Sequence, residues 1–371
     1  MSGVPFVDVA HMARWMADRG VEPLLGRLVE ALEADFGRWG SFEMVPRVAS
    51  HSAEGVIELM PTSDGETFGF KYVNGHPINP SRGLQTVTAF GALGDVRTGY
   101  PTFLAEMTLL TALRTGATSA LAARWLARPD SRVMALIGTG SQAEFQALAF
   151  RAACGIEQVR AYDIDPDALA KFVRNAERCG IDVYAARDVA DAVDGADIIT
   201  TCTADKRSTT VLPDALVVPG VHINAVGGDC PGKTELEPST LARARVVVEY
   251  EPQTRIEGEI QQMGPEFAVT ELHEVIESGR RRQSADEITV FDSVGFAVED
   301  MCVLRFVRAD VLGTEFVAEL DLVASPNDPR DLYALVAAAQ PVGAQVRYIS
   351  AGRRSRTRPA GSGRAPSAAA T

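Results

Sequence analysis

Apolar positions along the chain repeat with two periods, and the changes between them divide the sequence. Between residues 8 and 39, Leu24, Leu25, Leu28, Val29, Leu32 and Phe36 recur at helical spacing, with Arg27, Glu30 and Glu33 between them. That pattern predicts helix with one face packed on a core or on a partner subunit. From about Val45 to Phe103 the runs shorten and are separated by Gly, Pro, Asn and Asp, which predicts a group of antiparallel strands at 55–60, 67–73, 86–90 and 100–104. Within the second of these, Phe68, Phe70 and Tyr72 share one face, so Lys71 points to the other. A run rich in Leu, Ala and Thr from Glu106 to Ala127 then predicts a long helix. Arg114 sits in its apolar middle, where a guanidinium needs an anion or a buried partner.

From residue 132 to about 292 short apolar strands alternate with helical segments, the pattern of a parallel sheet covered on both faces. The first strand, Val133–Ile137, runs into Gly138-Thr139-Gly140-Ser141-Gln142-Ala143 and then an amphipathic helix. Strand, glycine turn and helix in this order form a dinucleotide-binding fingerprint. Gly138 permits the tight turn, Gly140 lets a pyrophosphate approach the backbone, and the helix start offers free N–H groups. Ser141 and Gln142 add side-chain donors beside it. The next strand ends at Asp163, about 20 residues on, where a carboxylate accepts from a ribose diol and repels a 2′-phosphate. No Arg follows it in Ile164-Asp165-Pro166, so the cofactor read from these residues is NAD. Asp165 before Pro166 is the better cap for the following helix. Ligands of such sheets lie beyond the carboxyl ends of the strands. Thr203, Gly227-Gly228-Asp229 and Asp292-Ser293-Val294 are therefore expected to converge there.

Composition narrows the partners. The net charge of −13 argues against nucleic acid, whose phosphates need a basic surface. No apolar run approaches the ~18 residues of a membrane span, and the start of the chain lacks the basic and apolar regions of a signal peptide. The five cysteines are scattered without C-x-x-C spacing, which fits a reduced cytoplasm, and neither they nor the histidines predict a metal site. Residues 352–371 are almost all Arg, Ser, Pro, Ala and Gly, a composition expected to remain a solvated, disordered tail. Arg47, Glu58, Lys71 and Asp229 are, each taken singly, as readily surface charges, bridges or caps as functional groups.

Six further stretches resolve that ambiguity. They are Leu59–Asp64, Gly69–Pro77, Leu110–Thr115, Gly227–Glu235, Arg255–Glu259 and Phe291–Phe296. Together with the glycine turn they resemble the ornithine cyclodeaminase/mu-crystallin family, in order, over residues 45 to 335. The resemblance implies an α/β fold: a Rossmann-type doubly wound parallel sheet at 119–309, plus a second α+β domain with antiparallel strands at 1–118, rejoined by 310–350. That second domain would bind substrate and dimerise, giving a homodimer. The implied chemistry removes hydride from Cα of an amino acid to NAD, closes a ring with the distal amine, expels ammonia and returns the hydride; from ornithine the product is proline. Positions that match place Arg47, Lys71 and Arg114 on the substrate carboxylate, Asp229 as acid/base, and Glu58 in orientation or proton handling, with Val294 lining the substrate side. Cofactor contacts that match are Thr86, Arg114, Ser141, Gln142, Asp163, Thr203, Val226, Gly227, Gly228, Asp229, Lys233 and Ser293. A lysine cyclodeaminase, a ketimine or N-alkyl amino acid reductase, and a non-catalytic crystallin-like binder stay open as alternatives.

Overall fold

The computed structural model describes residues 3–204 and 209–339. Asp205 and Lys206 after the fourth parallel strand, the 340–350 part of the expected return and the 352–371 tail lie outside the described residues. The chain opens with β1 (Val4–Val7), α1 (Val9–Arg19) and α2 (Val21–Phe36). The predicted single helix is thus two, broken at Gly20, whose φ of 78° lies in the left-handed region that favours glycine. Asp8 caps α1 by accepting from the His11 N–H. There follow β2 (Val48–His51), β3 (Val56–Ser63), β4 (Thr67–Gly75), β5 (Val87–Asp95), β6 (Pro101–Glu106) and the long α3 (Thr108–Leu126). Strands β2 to β6 are antiparallel neighbours in chain order, but β1 joins β6 in parallel. The sheet is therefore mixed rather than purely antiparallel.

The second half alternates as its pattern predicts. β7 (Val133–Ile137), α4 (Ala143–Cys154), β8 (Gln158–Tyr162), α5 (Pro166–Arg178), β9 (Asp182–Ala185), α6 (Val189–Val193), β10 (Ile198–Thr201) and β11 (His222–Ala225) follow one another. Then come α7 (Pro238–Arg243), β12 (Arg245–Val248), α8 (Glu251–Glu257), β13 (Thr270–Glu271), α9 (Leu272–Ser278), β14 (Thr289–Asp292) and α10 (Ala297–Val311). Their strands form one sheet in the order β13-β12-β14-β11-β10-β7-β8-β9, parallel at every pairing. β8 and β9 lie to one side of β7 and β10 and β11 to the other, so β7/β10 is the switch point where such sheets open a crevice. After α10 the chain returns to the first sheet as β15 (Ala318–Leu320), paired antiparallel with β1. Residues 323–339 form a separate compact unit that ends in α11 (Tyr333–Ala339). No helix among the described residues is long and apolar enough to cross a membrane.

Two packing features bear on function. The apolar face of α2 is buried inside the chain against α3 and α4, with Leu24, Leu25, Leu28, Val29, Leu32 and Phe36 fully inaccessible. It therefore faces no partner. The β3–β5 strands carry apolar residues on both faces: Lys71 is 1% exposed on the buried face that also holds Met60 and Val73, whereas Ile57, Leu59, Phe68 and Phe90 on the opposite face are 41–49% exposed. Tyr72 stacks on Phe90 at 5.1 Å across that open face. Helix α10 covers the inner face of β3, β4 and β5 and also packs on α2 and α3, which joins the two sheets. Truncating the α2 face tests its internal role. Leu28→Ala should cost about 2–5 kcal/mol, read as a lower denaturant midpoint with an unchanged slope.

Candidate active site

The glycine turn sits at the switch point. Gly138 has φ +97°, and a Cβ there would stand 2.8 Å from the carbonyl oxygen of Cys202 beyond β10, so only glycine lets the two strand ends approach. Gly140, by contrast, faces open space, with no heavy atom within 4 Å of a Cβ position. Helix α4 begins at Gln142 without a side-chain cap, and the buried Oε1 of Gln142 has no hydrogen-bond donor among the described residues. A short open backbone and free helical N–H groups fit a pyrophosphate. Asp163 accepts from the Thr139 N–H at 2.6 Å, the Thr139 hydroxyl at 3.0 Å and the Asp165 N–H at 2.9 Å. It thus ties β8 to the turn and retains roughly one lone-pair position for a ribose hydroxyl. Asp165 caps α5 through the Asp167 N–H.

At the same carboxyl edge lie the loops after β10, β11 and β14. The Val226 and Gly227 N–H groups donate to the Thr201 carbonyl, and that of Ser293 to Ala225. Lys233 Nζ donates to the Thr203 carbonyl at 2.8 Å and lies 3.5 Å from Oδ1 of Asp229. Burial lowers the Lys233 pKa, but the charges of Asp229 and Glu235 more than offset it and hold the ammonium above its usual value. The Asp229 side chain is 56% exposed, the accessible acid of the group. Thr86 precedes β5, where its carbonyl accepts from the His76 N–H; no hydrogen bond joins it to the other candidates among the described residues.

The three cations form two linked clusters. Asp300, in the first turn of α10, accepts from Lys71 Nζ at 2.7 Å and from Arg114 Nε at 3.1 Å through one oxygen. Arg114 Nη1 also donates to Glu299 at 2.8 Å. Arg47 lies between the acids Glu58, at 3.2 Å from both carboxylate oxygens, and Glu257, at 3.2 Å from Nε. Its Nη2 donates to the carbonyls of Val294 and Gly295 at 2.8 and 2.6 Å, which brings Val294 beside the cation. Burial works against the Arg47 guanidinium, yet Glu257 and Glu58 keep its pKa above the usual range, with Asp229 close enough for its charge to contribute. Burial, then the charge of Arg114, drive Lys71 down to about 8 against the pull of Asp300, and Arg47 adds to the fall. Arg47, Lys71, Arg114 and Asp229 are thus one electrostatic neighbourhood.

The acids that hold Lys71 and Arg114 come from α10, remote from both cations in sequence. Lys71 and Arg114 pair with Asp300 and Glu299, not with Glu58 or Glu106. Glu106 instead accepts from the Leu109 N–H at the start of α3. Sequence reasoning also misses a set of buried carboxylates that fasten the loops. Glu235 accepts from the N–H and hydroxyl of Thr203, and Glu259 accepts from the N–H groups of Glu235 and Leu236 at 2.7 and 3.0 Å. Asp292 accepts from those of Glu259 and Ile260, each at 2.9 Å. Glu249 accepts from the Ser293 hydroxyl at 2.5 Å and the Val294 and Gly295 N–H groups. Burial raises Asp292 to about 7 and Glu259 to about 8, in the latter case helped by the charge of Asp292. A cofactor near Thr203 or Ser293 therefore meets side chains whose hydroxyls are already committed. The available signal was the acids at the ends of apolar strand runs, Glu249 and Asp292, each needing a buried partner.

A parallel sheet with this turn at its switch point places the molecule among the dinucleotide-binding α/β proteins. Within them, the chain belongs to the ornithine cyclodeaminase/mu-crystallin family, whose model matches residues 9–315. A relative from Agrobacterium fabrum named ornithine cyclodeaminase is 57% identical over 335 residues, 90% of this chain and 94% of its own length. Among solved structures, a lysine cyclodeaminase described for recognition of L-lysine, L-ornithine and L-2,4-diaminobutyric acid is 34% identical with a TM-score of 0.80, covering 90% of this chain and 99% of that one. An archaeal alanine dehydrogenase dimer with bound NAD is 33% identical with a TM-score of 0.77, covering 86% and 99%.

Lys71 gives the site a pH dependence. Its folded value near 8 lies below the ordinary 10.5, so the ammonium that attracts an anion is complete only well below pH 8 and is lost as pH rises through it. Binding of a small aliphatic carboxylate, which has no amine of its own to titrate, should weaken above pH 8 in the native protein. Lys71→Met should bind it more weakly and show no such step.

Proposed function

We propose that the chain is an NAD-dependent ornithine cyclodeaminase that converts L-ornithine to L-proline and ammonia. The observation that carries this reading is that Lys71 and Arg114 share one oxygen of Asp300 while Arg47 holds the carbonyls of Val294 and Gly295 on the loop after β14, at the carboxyl edge of the dinucleotide-type sheet. In support stand the extensive likeness to a relative named for this activity and the NAD bound in a structural neighbour. Gly138, Gly140, Ser141, Gln142 and Asp163 would hold the cofactor, with Thr203, Val226, Gly227, Gly228, Lys233 and Ser293 along its nicotinamide end and Thr86 at its edge. Bound NAD supplies the acceptor, and later the donor, of the Cα hydride.

The chain's own residues position the substrate and move protons. Arg47, Lys71 and Arg114 offer charge-assisted bonds to the α-carboxylate, which fix Cα for steps that tolerate little misplacement. Asp229 is open to solvent on one side and tethered by Lys233 on the other. It can take a proton from the α-ammonium, so that the nitrogen lone pair drives hydride out, and return one to the departing ammonia. Glu58, fixed by Arg47, orients the distal amine for ring closure. The mixed sheet carries the substrate-binding and dimerisation role and the parallel sheet the cofactor. Ile57, Leu59, Phe68 and Phe90 form an exposed apolar face that would seat a second copy of the chain, and the reading places the homodimer in the cytoplasm.

Given L-ornithine and a trace of NAD, the protein should release proline and ammonia in equal amounts with no net NADH; steady NADH accumulation would indicate a simple dehydrogenase. Asp229→Asn should lower turnover about 10²–10⁴-fold, whereas a non-catalytic binder would show no turnover to lose. Phe90→Asp should shift the dimer towards monomer in light scattering.

A further inference from the structure

The two cation clusters differ in charge balance. Around Lys71 and Arg114 two cations meet two acids, Asp300 and Glu299. Arg47 alone faces both Glu58 and Glu257, so that cluster carries one more acid than base even when Asp229 is assigned to Lys233. All three side chains are buried, with side-chain exposures of 7%, 10% and 7%. One oxygen of Glu257, Oε2, lies 3.2 Å from Nε of Arg47 without hydrogen-bond geometry. That oxygen has no donor among the described residues. A buried carboxylate oxygen lacking a donor is costly to maintain. Burial is the main cause that lifts Glu257 to about 7, against Arg47 and with smaller repulsion from Glu58 and Asp229.

We infer that Glu257, beside Glu58, receives the distal ammonium of a diamino acid and makes the site selective for that substrate class. The inference rests on the reading of this site as one for amino acid oxidation at Cα. An –NH₃⁺ group brings one positive charge and up to three donors, which would balance the cluster and satisfy Oε2. An amino acid with an apolar side chain brings neither. The three cations then receive the carboxylate end of one molecule, and the two acids beside Arg47, Glu58 and Glu257, receive its ammonium end.

Equilibrium binding to the NADH-loaded protein, in which oxidation cannot begin, tests this with L-ornithine and L-lysine against L-norvaline and L-norleucine. Glu257→Gln should weaken the diamino acids about ten- to a hundredfold while leaving norvaline, norleucine and NADH within about twofold, and Glu257→Asp should recover part of the loss. Unchanged norvaline and NADH affinities would also show that the variant is folded. Equal weakening of ornithine and norvaline would assign Glu257 to holding Arg47 or to the α-ammonium and overturn the inference, as would no weakening at all. A native protein that prefers lysine to ornithine, with the same Glu257→Gln pattern, would overturn the proposed substrate and support the role of Glu257. A native protein that binds ornithine no better than norvaline would overturn the selectivity itself.

Discussion

Asp300 accepts from Lys71 and Arg114 through a single oxygen, and the architecture depends on that meeting. Lys71 comes from the middle of β4, Arg114 from α3 and Asp300 from the first turn of α10, three elements remote in sequence. Each ion is nearly inaccessible, so removing one partner would leave a buried charge without compensation, a loss of about 3–5 kcal/mol. Such a pair adds little net stability relative to a well-packed apolar core, but it ties α10 to β4 and α3 at one point. Because α10 starts five residues beyond the end of β14, fixing it also fixes the loop that carries Ser293 and Val294. The cations at the site and the joint between the two sheets are therefore the same atoms.

Around that joint the active edge is held by acids rather than by apolar packing. Glu235, Glu249, Glu259 and Asp292 each accept from backbone N–H groups of a neighbouring loop, and space for them exists because several neighbours lack side chains. A Cβ on Gly228 would stand 2.6 Å from the Glu259 carboxylate, and one on Gly258 2.6 Å from that of Asp292. With Gly227, whose Cβ position is taken by the Glu235 carboxylate, three of the glycines around the site thus accommodate protein carboxylates, a use of glycine distinct from the open approach at Gly140. The chemistry proposed for this edge needs both kinds: one to admit a ligand, the other to admit the groups that keep the loops in place.

Much of this was legible in the sequence because it is written in local terms. Periods of two and of 3.6 gave the strands and helices, and the alternation after residue 132 gave the parallel sheet. Glycine spacing placed the turn now seen at β7/β10. The strand alternation at Phe68, Lys71 and Tyr72 put Lys71 on the face opposite the aromatics, but not that its face would be the buried one and the aromatic face the exposed one. What stayed hidden depends on long-range pairing. β1 and β15 are too short to announce themselves, and β1 becomes a strand only because β6 and β15 lie on either side of it. The partners of Lys71 and Arg114 lie at 299–300, nearly two hundred residues away from Arg114, and nothing in their spacing marks them over the nearer Glu58 and Glu106. Glu257 reads as an ordinary helix-end acid until the fold sets it against Arg47.

The loop fastenings have a consequence for how the site works. Loops already shaped by internal carboxylates need no folding upon encounter, so little of the attraction between protein and ligand is diverted into ordering backbone. Encounter should then resemble the docking of two rigid bodies. Recognition would be decided by whether the incoming charges match those in place, with little opportunity for an ill-matched molecule to be accommodated by adjustment.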